Sequence, residues 1–509
     1  MAQRQVAFLR RMSHHRFSAL LAKQSATVAS SKSMTLKYCF DNSRIIRNFA
    51  QTLTQKYMLR RILLCAFISI ISFSGFSQSV DEKIGNAMNH LDWFALDSIY
   101  HSVPKDSIHP FLEIYSRCLI GNRLNRPDVS IPAFQELFNT QSEYLDMDNM
   151  ISSAFMFGMD LSRAGQNEAA ASMTNSVLDA TRQYLDSAMV SNLVSQANRY
   201  SALAAYNPYQ IQFNGDSTGM VPFAIVPVGP SEKGSVLMYL KESTINGISA
   251  DITFDTGAGT NLISPEMAEK YNLIPLEGTR ITVGGVAQKD GYMAIASELR
   301  LGNMTIRDVP FSVVSISTNN SEADQYTEAY SIILGSDLML QLKDININFL
   351  TNKITVPSKA PFIPVKTDAK PNLCFSSSMN LLCRGTIHNE PMLMCIDSGD
   401  ASYGSIGNAF FERNKQYVLD NGVKDTVRIA GIGGVNYIDC YKLSNMKIEL
   451  GNHTVEIPEF VVATEKEAGI GGQHEGIIGL RTLMLYSFVR FNLVDFVLTT
   501  EISKDAHIR

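Results

Sequence analysis

The chain reads as a multidomain α + β protein: an all-helical domain near the N-terminus, followed by two β lobes built in the same order. Three observations predict this. The first is helical periodicity from Val80 to about Ala205, which gives way to β-rich composition after Asn214-Gly215-Asp216. The second is an apolar run ending in Asp-[Thr/Ser]-Gly that occurs twice, at Ile252-Thr253-Phe254-Asp255-Thr256-Gly257 and at Met394-Cys395-Ile396-Asp397-Ser398-Gly399. The third is a set of landmarks following each run at nearly constant spacing.

With 509 residues the chain is too long for one core, and 45% hydrophobic with 18% charged residues marks a folded protein. The net charge of -5 is uneven: residues 1–57 carry ten Lys/Arg against Asp41 alone, whereas the chain from Gln78 onward carries -16. An acidic body lacks the clustered Lys and Arg that phosphate binding needs, so nucleic acid is excluded as a partner.

Residues 58–77 have the form of a secretory signal peptide. Met58-Leu59-Arg60-Arg61 is the basic start, Ile62 to Ile71 the apolar stretch, and Gly75 and Ser77 the small residues of a cleavage site before Gln78. The expectation is an exported protein, periplasmic or secreted, with membrane anchoring as the alternative if the segment is retained. Residues 1–57 are read as a basic leader or as lying upstream of the true start at Met58. Five cysteines follow Gln78, namely Cys118, Cys374, Cys383, Cys395 and Cys440. No spacing among them suits zinc. Export would permit a Cys374–Cys383 disulfide, and Cys395 reads as a small buried hydrophobe.

In the helical domain, residues 78–210, breaks are expected at Pro104, Pro110 and Pro132. Ala154, Phe157, Gly158 and Leu161 form one apolar face and Ala170, Met173 and Val177 another. Ala164-Gly165-Gln166-Asn167 should turn between them into an antiparallel hairpin. The hairpin is weakly similar to a tetratricopeptide unit, which suggests either an accessory domain or a site for a protein partner.

Lobe 1 spans residues 217–358 and lobe 2 residues 372–502, joined by the proline-rich stretch from Pro357 to Pro371. Asn246-Gly247 marks a tight hairpin turn that feeds the strand into Asp255. After Asp255 come Gly284-Gly285, Leu301-Gly302-Asn303, Phe311 and Ile332-Ile333-Leu334-Gly335; after Asp397 come Gly433-Gly434, Leu450-Gly451-Asn452, Phe460 and Gly476-Ile477-Ile478-Gly479. The offset is 142 at the Asp, 149 in the middle and 144 at the last Gly, which predicts two homologous lobes. Asp290-Gly291 and Asn421-Gly422 read as ordinary turns. His388, His453 and His474 lack ligand spacing and read as surface residues, and no metal site is expected.

Two carboxyls held about 3 Å apart cannot both ionise, so they share a proton and divide the roles of base and acid. Here the residues support a resemblance. Asp255-Thr256-Gly257-Ala258 with Ile332-Ile333-Leu334-Gly335 resembles the active-site signature of retropepsin-like aspartic proteases, and Asp397-Ser398-Gly399 with Ile477-Ile478-Gly479 resembles its partner. The similarity covers roughly residues 217–502.

It implies two fused lobes whose loops meet, with Asp255 and Asp397 as the catalytic pair and Thr256 and Ser398 hydrogen-bonded across the interface. Gly257 and Gly399 would let the loops turn. Gly433 and Gly434, with Gly284 and Gly285 as a weaker counterpart, would be flap tips closing over an extended peptide or protein substrate. It implies no cofactor and a monomeric active unit. Asp400 departs from the pattern, standing where the first loop has Ala258. There it either faces solvent harmlessly or stands near Asp397 and raises that group's pKa by like-charge repulsion. Three readings follow: an aspartic endopeptidase, a non-catalytic peptide-binding module whose second loop Asp400 has disabled and whose helical domain supplies recruitment, or an endopeptidase whose helical domain is a pro-segment blocking the cleft until it is removed.

Overall fold

The computed structural model describes residues 78–215, 218–228, 234–283, 288–358, 370–376, 379–465 and 474–503. The leader, the signal-peptide segment, Gly284, Gly285 and most of the proline-rich join lie outside the described residues.

The helical part comprises α1 (Val80–Asn89), α2 (Trp93–Ser102), α3 (Pro110–Arg123), α4 (Pro127–Thr140), α5 (Met147–Arg163), α6 (Asn167–Thr181) and α7 (Ser187–Ala204). Each packs against the next. The starts are set by side chains that accept from free N–H groups: Ser79 and Glu82 form a reciprocal capping box, and Asp92, Asp146 and Asp186 cap α2, α5 and α7. The predicted turn after α5 is present, with Gly165 at φ 75°. Ala154, Phe157, Leu161, Ala170, Met173 and Val177 are buried as expected. Pro132 does not break the chain, but lies inside α4. It falls so near the helix start that it removes only one of the earliest intrahelical bonds. No helix among the described residues is long and apolar enough to cross a membrane.

The β region forms two sheets among the described residues, and each holds one Asp-[Thr/Ser]-Gly at a strand end. Ile252–Phe254 lies between antiparallel Val236–Leu240 and parallel Ile332–Leu334, with Leu262–Ile263 beyond. Glu390–Asp397 lies between antiparallel Leu381–Ile387 and parallel Gly476–Gly479, with Gly404–Ile406 beyond. Buried on both faces, these strands read as continuous apolar runs. Phe311 and Phe460, matched by the 149 offset, are both fully buried.

The lobes do more than stand side by side. Phe488–Asn492 and Val497–Glu501, the last strands of lobe 2, join Asp344–Asn348, Lys353–Pro357 and Thr218–Pro227 of lobe 1 in one sheet. Asp344–Asn348 and Phe488–Asn492 pair antiparallel around the central couple Asn346↔Arg490, each strand therefore meeting the one that is 144 residues away in the repeated order. Arg490 Nε and Nη2 also grip Asp344 at 2.9 and 2.6 Å. One apolar cluster runs from Ile84 in α1 through both lobes to Leu498.

Asn246 and Gly247 make the predicted tight turn, both at positive φ (49° and 80°). Asp290-Gly291 is not a turn; it lies within the strand Lys289–Leu301. A Cβ on Gly291 would come 2.1 Å from the Val313 carbonyl oxygen, so this glycine serves close strand approach. Asn421 ends a helix and Gly422 begins a strand. Cys374 and Cys383 are buried free thiols rather than a disulfide, on neighbouring strands where each faces a leucine.

Candidate active site

Asp255 and Asp397 end their strands and project into the seam between the lobes, where their carboxyls are hydrogen-bonded to each other. The two loops are built alike. Asp255 Oδ1 accepts from the N–H groups of Gly257 (2.8 Å) and Ala258 (3.1 Å). Asp397 Oδ1 accepts from Gly399 (2.9 Å) and Asp400 (3.0 Å). These N–H groups hold one oxygen of each carboxyl in place.

Thr256 and Ser398, both fully buried, lock the loops together. The Thr256 hydroxyl donates to Ile396 O (2.7 Å) and accepts from Ser398 N (3.0 Å), while the Ser398 hydroxyl donates to Phe254 O (2.7 Å) and accepts from Thr256 N (3.0 Å). Every donor and acceptor of this buried set is satisfied, the condition under which such a network rigidifies its surroundings.

Glycine is dictated by the opposite carboxyl. A Cβ on Gly257 would lie 2.3 Å from Asp397 Cγ, and one on Gly399 would lie 2.4 Å from Asp255 Cγ. Gly335 and Gly479 play the same part behind the loops, where a Cβ would strike Thr260 O at 2.5 Å and Ser402 O at 2.3 Å.

Both carboxyls are held above the ordinary Asp range, first by burial. For Asp255 the hydrogen bonds from Asp397 and from the loop N–H groups pull the other way. Asp397 goes further up, because the charges of Asp255 and then Asp400 face it. Asp400 is itself raised by burial, with Ser402 N donating to its Oδ1 at 2.9 Å. The departure from the sequence pattern therefore sits close enough to act on the pair.

Two further side chains reach the loops, each from the opposite lobe. Tyr330 of lobe 1 donates its hydroxyl to Gly399 O at 2.9 Å, and Asn380 of lobe 2 donates Nδ2 to Gly257 O. Burial and then the charges of Asp400, Asp255 and Asp397 keep the Tyr330 hydroxyl protonated far above its usual range. Neither residue stands in a motif, and only the fold brings them in.

Gly431-Ile432-Gly433-Gly434 is a hairpin tip between Gly422–Gly431 and Gly434–Leu443, with Gly433 at φ 83°. It leans across the seam: Gly433 N donates to Ser317 O at 3.3 Å, and Ile432, like Ala258, Val283 and Tyr330, packs against the buried Leu262, Val314 and Ile333. The strand Ile281–Val283 leads toward Gly284 and Gly285.

His388 stacks on Tyr417, His453 lies by Thr500, and His474 is half-buried against Gly476 O. No group of His, Cys, Asp and Glu among the described residues could hold a metal ion. A cavity of about 310 Å³ lined by Tyr209, Phe213, Leu342, Asp344 and Val356 shares no residue with the paired loops.

Residues 242–338 match the model of a family described as aspartyl protease. The match takes in Asp255-Thr256-Gly257 and Ile332 to Gly335; the second loop lies beyond it. No curated protein matches the chain.

Proposed function

From a first lobe similar to the aspartyl proteases, we propose that the chain is a single-chain aspartic endopeptidase of two homologous lobes, and that an extended peptide lies between them under the Gly431–Gly434 tip. The observation that carries the reading is the contact of the Asp255 and Asp397 carboxyls in loops cross-locked by Thr256 and Ser398.

Asp255 is the base and Asp397 the acid. The pair titrates as a unit, and the negative Asp400 biases the shared proton toward Asp397. Asp255 takes a proton from water as its oxygen attacks the scissile carbonyl carbon, and Asp397 gives its proton to the carbonyl oxygen. The tetrahedral intermediate collapses as the C–N bond breaks. The leaving nitrogen takes the proton held by Asp255, and Asp397 recovers its own from the hydroxyl that reverts to a carbonyl. The buried seam and the closed hairpin keep other water away and strengthen each charge interaction. The apolar stretch after Arg61 supports work in an exported compartment.

Asp400 favours one other reading, a peptide-binding module that does not cleave. Purified protein screened against peptide libraries from acid to neutral pH separates the two. We expect cleavage that Asp255→Asn and Asp397→Asn each reduce by at least 1,000-fold, on the order of losing one member of a two-residue catalytic unit. Cleavage that survives in both variants rejects the dyad, and peptide binding without cleavage in the unsubstituted protein selects the module.

A further inference from the structure

We propose that the helical domain is part of the catalytic unit and sets the first aspartate loop through Arg123, Ser376 and Asn380. The inference rests on the proposed endopeptidase reading, and it makes Asn380 a positioning residue and Arg123 its support.

The contacts form an unbroken path. Arg123, in the last turn of α3, is 8% exposed and donates Nη1 to Ser376 O at 2.9 Å. Its guanidinium is further held by the Trp93 ring, whose centre is 5.4 Å away. Ser376, 4% exposed, is tied to Asn380 in both directions: Ser376 N donates to Asn380 O (3.0 Å) and Asn380 N to Ser376 Oγ (3.0 Å). Asn380 then donates Nδ2 to Gly257 O, and the N–H of that same peptide group, Ala258 N, donates to Asp255 Oδ1 at 3.1 Å. A shift of α3 is thereby passed to the peptide group that orients the Asp255 carboxyl.

Lobe 1 holds the same loop from behind. Ser336 N donates to Ala258 O at 2.9 Å, and the Ser336 hydroxyl lies between Gly259 O (3.1 Å) and Met379 O (3.2 Å). The Gly257 carbonyl is the member of the three successive carbonyls that the lobe 2 hairpin takes. The second loop has a different arrangement. Its Gly399 carbonyl is taken by Tyr330 of lobe 1, which among the described residues makes no hydrogen bond to α1–α7. The helical domain thus acts on one aspartate and not the other, an asymmetry that a spacer or a detachable pro-segment would not need.

The test uses the full chain with Arg123→Met and Asn380→Ala. Asp92→Asn serves as the control, since Asp92 bridges Arg384 at 2.8 Å on the same interface but lies off the path, and Asn keeps the cap on α2. Losing the Asn380 bond lets the Gly257–Ala258 peptide group move and weakens the Ala258 N–H bond that favours ionised Asp255; the Asp255 pKa therefore rises and the acidic limb of the pH–rate profile moves to higher pH. We expect that shift in both variants, a kcat lower by roughly 10- to 100-fold with KM little changed, and faster amide exchange in residues 255–261 but not 397–402. Asp92→Asn should match the unsubstituted protein, and Arg123→Lys, which keeps a donor for Ser376 O, should recover much of the loss. If Arg123→Met does not fold, Asn380→Ala, at a half-buried site, and Arg123→Lys still decide the matter. Unchanged exchange and an unchanged acidic limb in folded variants overturn the coupling while Asp255-dependent cleavage persists. If the unsubstituted protein cleaves nothing, the endopeptidase reading falls and the exchange data alone decide the coupling.

Discussion

Gly257 and Gly399 are fixed by what lies opposite. Each would drive a methyl group into the other lobe's carboxyl, so Gly257→Ala and Gly399→Ala should cost at least 100-fold in kcat by separating the pair. Overpacking of this kind also destabilises by about 1–3 kcal/mol, and a thermal melt beside the kinetic assay separates the two effects. Asp400 can be tested through charge. Ionised Asp400 opposes loss of the last proton from the dyad, so Asp400→Asn should move the alkaline limb of the pH–rate profile to lower pH. Its own folded pKa is raised, so its favourable contribution to folding is complete below the unfolded value near 3.9 and is lost as pH rises through the folded one. Asp400→Asn should therefore melt higher than the unsubstituted protein at neutral pH, and the gap should close on acidification. The motif residues were legible because their chemistry is local: an Asp at a strand end, a hydroxyl beside it and a glycine after it. Tyr330 and Asn380 were not, since their partners lie 69 and 123 residues away and only the fold brings them together.

At the scale of elements, the hairpin tip couples the two lobes. Ile432 packs against an apolar group made by lobe 1, so the position of the tip is held by packing more than by charge. Ile432→Ser should lower kcat/KM by about 10-fold, the equivalent of 1.4 kcal/mol lost from closure. The Arg428–Glu322 ion pair spans the same gap at 3.3 Å, but Glu322 is 74% exposed. Such pairs contribute at most about 1 kcal/mol, so Glu322→Gln should change kcat/KM less than Ile432→Ser does, and high salt should mimic it. Elements with a strong period or a strong turn signal were readable from sequence, among them the α5–α6 hairpin and the Asn246-Gly247 turn. Pro132 and Gly291 misled because a residue type marks a break only where the backbone needs its N–H or its Cβ. Near the start of α4 the lost bond matters little, and beside the Val313 carbonyl the missing Cβ is what allows the strand to continue.

For the whole molecule, the helical domain shares its core with both lobes. Leu203 packs with Leu276, Met293 and Ile295, while Arg384 of lobe 2 lies over Phe94 of α2 at 4.4 Å. Deleting residues 78–205 would uncover several large side chains, each worth about 1.5–3 kcal/mol when buried, against a total margin of about 5–15 kcal/mol. The remaining chain should be aggregated or melt far below the full protein, whereas removal of a pro-segment would leave a folded and more active enzyme. Solubility, a melting curve and peptide cleavage of the shortened chain check this. The sequence announced two β lobes through repeated landmarks. It could not announce their common sheet, because strand pairing across the join depends on contacts 144 residues apart in the repeated order and no local pattern encodes them.

That common sheet has a consequence for how the protein can change. Strands that meet around one central couple, Asn346 and Arg490, form the kind of junction two identical subunits would make, but here a continuous backbone guarantees that the halves meet in fixed identity. A substitution in one loop is then never copied into the other. Ala258 can stay small while its counterpart becomes Asp400, and one loop can be tied to a helical domain while the other answers to Tyr330. Covalent union turns a symmetric device into one with two independently adjustable ends.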